Sequence, residues 1–219
     1  MFSMKPLSSP LRIVTGLALA CLAQIASADG LASLETFMRT ARSGKADFTQ
    51  TVTSPAREGQ AARSKVSTGT FEYQRPGKFK FDYRKPFPQV IVADGSTLWL
   101  YDADLKQVTA RPQAQALGST PAALIASAPD LQSLRKDFVL QSQPESDGLQ
   151  WVLATPRTKD GQLQSIKVGF RGDQLAALDI LDSFGQRSVM AFANLQANPS
   201  LPASTFDFQP PSGTDVVRQ

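Results

Sequence analysis

Few side chains in this sequence could carry out chemistry. There is no histidine, and the single cysteine is Cys21. A His general base, a Cys/His nucleophile pair and a Cys/His zinc site are therefore ruled out. Paired acids occur at Asp102/Asp104 and Asp179/Asp182, the residue type a glycosidase-like dyad needs. Both pairs fall at expected strand ends and turns, where solvated acids are ordinary. The phosphate-loop pattern G-x-x-x-x-G-K-[ST], the dinucleotide pattern G-x-G-x-x-G and the nucleophile elbow G-x-S-x-G are all absent. The expectation is a protein that is not an enzyme and uses no cofactor and no metal. Arg75, next to Pro76, is the one polar side chain set at the end of an aromatic strand, and taken alone it is a solvated turn residue.

Lys78, Lys80 and Arg84 alternate with Phe79, Phe81 and Tyr83. A nucleic-acid platform needs its charges and its stacking rings within reach of the same strand. Strict alternation sends them to opposite faces of a β-strand. With a net charge of only +4, nucleic acid is not an expected partner. The charged face is a solvated exterior or a surface for a partner protein.

The elements that would position these residues are mostly strands. Leu31, Leu34, Phe37, Met38 and Ala41 recur at helical spacing, so a helix is expected over residues 31–42, ended by Ser43-Gly44. Residues 46–111 suggest a meander of short strands. Phe48, Gln50 and Val52 share one face, and a charged, Ala-rich loop follows over 53–64. Gly69, Phe71 and Tyr73 share the next face, Pro76-Gly77 turns the chain, and Phe79, Phe81 and Tyr83 make the following one. Residues 90–92 and 98–101 are apolar runs around Asp94-Gly95, a hairpin signal. Ser119 or Thr120 with Pro121 suits a helix start before residues 122–126, and a second short helix is expected near 130–136. Strands resume over 138–141, 149–154, 163–170, 175–181 and 188–195, and Phe206 with Phe208 suggests a last one. One mainly β domain is expected, its apolar face forming either a solid core or a container; periodicity does not separate the two.

The N-terminus indicates export. Lys5 and Arg12 precede a short apolar run, and Ala26-Ser27-Ala28 is a small-x-small cleavage site. The run is shorter than the roughly 20 residues a membrane span needs. Residues 1–28 are expected to be a cleaved secretory signal, leaving residues 29–219 as one soluble domain without cysteine. A lipid attached at Cys21 is the competing reading, disfavoured by the later cleavage site.

Several segments also carry a family resemblance. The run from Tyr73 to Phe81, with its Arg75-Pro76, resembles the R-P-x-x-F segment of the periplasmic outer-membrane lipoprotein carriers of the LolA family. Asp94-Gly95-Ser96-Thr97 with Leu98-Trp99-Leu100-Tyr101 resembles that family's next hairpin. Gly118-Ser119-Thr120-Pro121 resembles its lid entry, and Phe48-Thr49-Gln50 and Phe206-Asp207-Phe208 fit near the two ends. The resemblance implies a single-domain unclosed antiparallel β-barrel with an N-terminal helix and short lid helices over an apolar concavity. It implies a soluble, monomeric periplasmic chaperone of a Gram-negative bacterium. Its partners would be triacylated lipoprotein cargo, an ATP-driven inner-membrane transporter that loads it, and an outer-membrane receptor that unloads it. The alternatives on the same fold are that receptor itself, or an envelope-stress or lipid-sensing module. The candidate acyl-chain cavity residues are Phe79, Phe81, Trp99, Tyr101, Leu124 and Ile125, each equally compatible with core packing. The resemblance makes Arg75 a latch that hydrogen-bonds to the lid backbone.

Overall fold

The computed structural model describes residues 29–56, 60–116, 128–158 and 161–219. Helix α1 (Gly30–Thr40) opens the described chain. Asp29 caps it by accepting from the Leu31 N–H at 3.3 Å, which satisfies one of the donors a helix start leaves free. Leu34, Phe37 and Met38 form its buried stripe, packed across strands of the later half of the chain.

Twelve strands then form one sheet. They are β1 (Ser43–Ser54), β2 (Arg63–Gln74), β3 (Lys78–Lys85), β4 (Gln89–Asp94), β5 (Thr97–Asp102), β6 (Gln107–Pro112), β7 (Phe138–Ser146), β8 (Leu149–Pro156), β9 (Leu163–Arg171), β10 (Gln174–Asp182), β11 (Arg187–Ala197) and β12 (Asp215–Arg218). The hydrogen-bonded order is β12-β6-β5-β4-β3-β2-β1-β11-β10-β9-β8-β7. Two antiparallel meanders are thus joined through β1 and β11, and the sheet is unclosed, with β7 and β12 at its edges. Edge strand β7 carries Pro144, inside a register break between Gln143 and Ser146. Only β12 pairs in parallel, along β6 from Asp215↔Gln107 to Arg218↔Ala110. Among the described residues, two helices, α2 (Gln113–Ala116) and α3 (Leu131–Asp137), lie between β6 and β7. Among the described residues no helix is long and apolar enough to cross a membrane.

The expected elements recur with small changes of boundary. The loop expected over 53–64 separates β1 from β2, and the helix expected near 130–136 is α3, capped by Asp130. The last strand is corrected. Phe206 closes a short 3-10 turn (Ala203–Phe206), Phe208 lies outside any strand, and the final strand is β12. Residues 122–126, where a lid helix is expected, lie outside the described residues, as does the proposed leader, 1–28.

The core has two layers, one on each face of the sheet. On the inner face α1 meets the aromatic side chains of β1 to β3, with Phe37, Phe48, Phe71, Tyr73, Phe79 and Phe81 all at most 3% exposed. Glycine at position 44 is required here, because a Cβ would sit 2.3 Å from the Tyr73 ring. On the outer face the chain after β11 lies over β3 and β4, where Val92, Val108 and Phe206 are buried. This second layer explains why β4 and β5 are apolar at almost every position: both of their faces are covered.

Candidate functional site

An open hollow of about 450 Å³ lies within the inner face. That is within the roughly 300–1,000 Å³ typical of ligand sites. Strand β3 contributes Phe81 and Tyr83, β4 Ile91, β5 Leu98 and Leu100, and β11 Met190. The register puts these residues on one side of the sheet, since Phe81 pairs with Ile91 and Ile91 with Leu100. At its mouth the hollow adjoins a second one of about 730 Å³, sharing Gln50, Val52, Tyr83 and Gln186. Phe87, Leu105 and Phe184 protrude from three hairpin tips and are 59%, 70% and 72% exposed.

A chain of rings leads away from the hollow. Tyr83 meets Phe48 edge to face at 4.9 Å, and Phe48 meets Phe81 at 5.7 Å. Phe71 contacts Tyr73 at 5.6 Å, and Tyr73 contacts Phe37 at 6.2 Å. The chain ends at Arg75, whose guanidinium lies 4.9 Å from the Phe37 centroid and 5.6 Å from that of Tyr73. These are cation–π distances. Arg75 is 8% exposed, so it is not a solvated turn residue. Its Nη1 donates to Met38 Sδ at 2.7 Å and to the Ala128 carbonyl at 3.4 Å. Its Nε and Nη2, and the Tyr73 hydroxyl beside them, make no hydrogen bond among the described residues. Burial lowers the guanidinium pKa, the neighbouring Tyr73 hydroxyl opposes that, and Arg42 adds to it. Burial also pushes Tyr73 up to about 12, so it stays neutral. A charge buried in this way is costly unless its surroundings compensate it.

The two turns near Arg75 are tied together by Gln113. Its Nε2 donates to the Gly77 carbonyl at 2.6 Å, and its Oε1 accepts from the Gly95 N–H at 3.0 Å. Asp94 secures the β4–β5 turn. Burial alone would raise its carboxyl, but the N–H groups of Thr97 and Ser96, the Trp99 indole and the Ser96 hydroxyl donate to it and hold it at about 2.

The expected cavity residues separate into groups. Phe81 lines the hollow. Phe79 is wholly buried and packs against Phe81 at 6.0 Å, without being part of the lining. The placement of Trp99 and Tyr101 is corrected. They lie on the outer face against Phe208, at 5.7 and 6.1 Å, while Leu98 and Leu100 face the hollow. The physical reason is the covering C-terminal segment, which lets β5 be apolar on both sides. Leu124 and Ile125 lie outside the described residues. Phe37, Met38 and Ala128 complete the surroundings of Arg75 and were not legible as such; only the helical periodicity marked Phe37 and Met38, and only as core.

An unclosed sheet folded around an apolar hollow defines a container for apolar ligands. Residues 39–209 match the family model described as outer membrane lipoprotein carrier protein LolA, and the chain belongs to that family. It is 62% identical over 205 residues to an outer-membrane lipoprotein carrier protein of Albidiferax ferrireducens, covering 92% of this chain and 96% of that one. It is 52% identical over 204 residues to one of Methylibium petroleiphilum, covering 93% and 97%. A solved LolA superfamily protein from Nitrosomonas europaea is similar at 12% identity and a TM-score of 0.46, covering 81% of this chain and 97% of that one.

Proposed function

We propose that this chain is a periplasmic chaperone that shelters the acyl chains of lipoproteins released from the inner membrane and delivers them to an outer-membrane receptor. The observation that carries this reading is the open hollow bounded by Phe81, Ile91, Leu98, Leu100 and Met190 in a chain of the lipoprotein-carrier family. Each methylene exposed to water costs roughly 0.8 kcal/mol. Three chains of about 15 methylenes therefore cost on the order of 35 kcal/mol to expose, and such a molecule needs an apolar host at every step.

In this reading the sheet acts as an open barrel, and the segment between α2 and α3 acts as its lid. Arg75 latches the lid through the Ala128 carbonyl, next to that segment. Residues 1–28 are removed on export, and the mature chain acts as a monomer without enzymatic activity. Work for extraction comes from an ATP-driven inner-membrane transporter. The test is to purify the protein from the periplasm and identify bound molecules by mass spectrometry. Intact acylated lipoproteins are expected; free lipid alone, or no bound molecule, would overturn the reading.

A further inference from the structure

The hollow carries polar side chains among its apolar ones, and an alkyl chain needs only the apolar ones. Along the inner face of β1 the side chains run Ala46, Phe48, Gln50, Val52. The first two are buried in the aromatic core. Gln50 then places a primary amide in the wall, between Phe48 and Val52. Its Nε2 donates to Ser188 Oγ at 2.8 Å, across the β1–β11 pairing. Its Oε1 and its second N–H make no other hydrogen bond among the described residues, and the Ser188 hydroxyl proton is likewise unassigned. Arg111 lines the same space from β6, opposite Leu98, and forms no ion pair among the described residues.

Plain hydrocarbon filling this space would strip water from the amide and the hydroxyl and return nothing. The bond from Gln50 to Ser188 would survive, but the amide oxygen, the second amide N–H and the hydroxyl would lose water without replacement. A ligand site made only for hydrocarbon has no use for such groups. Polar groups placed in an otherwise apolar pocket fix the orientation of the ligand and select among ligands.

We propose that Gln50, Ser188 and Arg111 form a linkage subsite that reads the carbonyls and the amide N–H where acyl chains join an acylated cysteine. This rests on the carrier reading above. The donors are Gln50 Nε2, the Ser188 hydroxyl and the Arg111 guanidinium; the acceptors are the ester and amide carbonyl oxygens of the ligand. Gln50 Oε1 accepts from the ligand's amide N–H, a donor that a diacyl phospholipid's ester linkages lack. The alkyl chains then lie against Phe81, Ile91 and Leu100, and the peptide leaves through the mouth bordered by Gln186.

The test is displacement of a fluorescent naphthylamine dye from the full mature chain by a synthetic triacylated cysteinyl peptide, by the same peptide without acyl chains, and by a diacyl phospholipid. The variants are Gln50→Leu and Arg111→Gln, with circular dichroism confirming the fold. In Gln50→Leu the dye should bind within about twofold of wild type while the triacylated peptide weakens about tenfold, a change of roughly 1.4 kcal/mol. Arg111→Gln should weaken the triacylated peptide in the same direction. Unchanged lipopeptide affinity in both variants would overturn the subsite, as would equal losses for dye and lipopeptide. Equal weakening of phospholipid and lipopeptide would overturn the assignment to an acylated cysteine. If the wild type binds no triacylated peptide, the carrier reading itself fails.

Discussion

Phe71 of β2 and Phe81 of β3 stack nearly face to face, with ring centroids 4.4 Å apart and planes inclined by 22°. The pair joins the hollow to the surroundings of Arg75, because Phe81 lines the hollow and Phe71 rests on Tyr73, one of the two rings under Arg75.

Phe81→Ala should therefore act at both ends. Removing a buried Phe costs about 3–5 kcal/mol, which lowers the melting temperature by on the order of 10 °C in a domain of this size. The hollow should enlarge and take up more of an apolar dye. Calorimetry and dye titration check this; a melting temperature within 2 °C of wild type, as an order-of-magnitude threshold, would show that the stack contributes little.

Arg75→Leu should leave the fold intact and change the order of loading and release. On the latch reading, the long hydrogen bond to Ala128 stabilises the closed form by about 1.5 kcal/mol, the low end for a charged bond. Without it the loaded form gains in relative stability, so loading continues while handover to the outer-membrane receptor falls about tenfold. Arg75→Lys should resemble Leu in this respect, because an ammonium cannot lay a planar group over Phe37 and Tyr73. Transfer from purified loaded carrier is the measurement. Wild-type transfer by a folded Arg75→Leu protein would remove the latch role.

Phe208→Ala tests which face of β5 is which. It should expose Trp99 and Tyr101 further, shift tryptophan emission to the red and destabilise by less than the roughly 3–5 kcal/mol of a fully buried Phe. Dye affinity in the hollow should stay within about twofold of wild type, a free-energy change under roughly 0.5 kcal/mol. Leu100→Ala should do the reverse, altering dye affinity with little change in emission. A large loss of dye binding in Phe208→Ala would place Trp99 with the ligand after all.

Asp94 gives the β4–β5 turn a pH dependence whose sign follows from its depressed carboxyl. The folded value of about 2 lies below the ordinary 3.8. Its contribution to stability is complete above the ordinary value and disappears as pH falls through the folded one. Asp94→Asn should thus melt below wild type at pH 6, and the difference should shrink steadily from about pH 4 to about pH 2. A gap that stays constant across this range would mean that the charge plays no part.

The inner face of β1 to β3 was legible because strict alternation of Phe48, Phe71, Phe79 and Phe81 with polar neighbours fixes which side is buried. The phase of β5 was not, because Leu98-Trp99-Leu100-Tyr101 is apolar at each position and a strand covered on both faces carries no alternation. The signal that would have resolved it lay in the Gly95-Ser96 turn, which sets Ala93 opposite Leu98 and Ile91 opposite Leu100. Arg75 could be singled out, but the two rings beneath it come from α1 and β2, and no local pattern records that meeting. Strand β12 was missed because four exposed residues following Gly213 show neither length nor periodicity.

The edges of the sheet bear on what happens when many copies share a small compartment. An open sheet offers each margin as a template on which another polypeptide can continue the ladder. On one margin β12 occupies the side of β6 and is itself only four residues long, with the charged Asp215 and Arg218 at its ends. On the other, Pro144 withholds a donor and sits where the β7–β8 register breaks. A fold left open to admit greasy ligands thus keeps its margins short or broken, which discourages a neighbouring strand from extending the ladder.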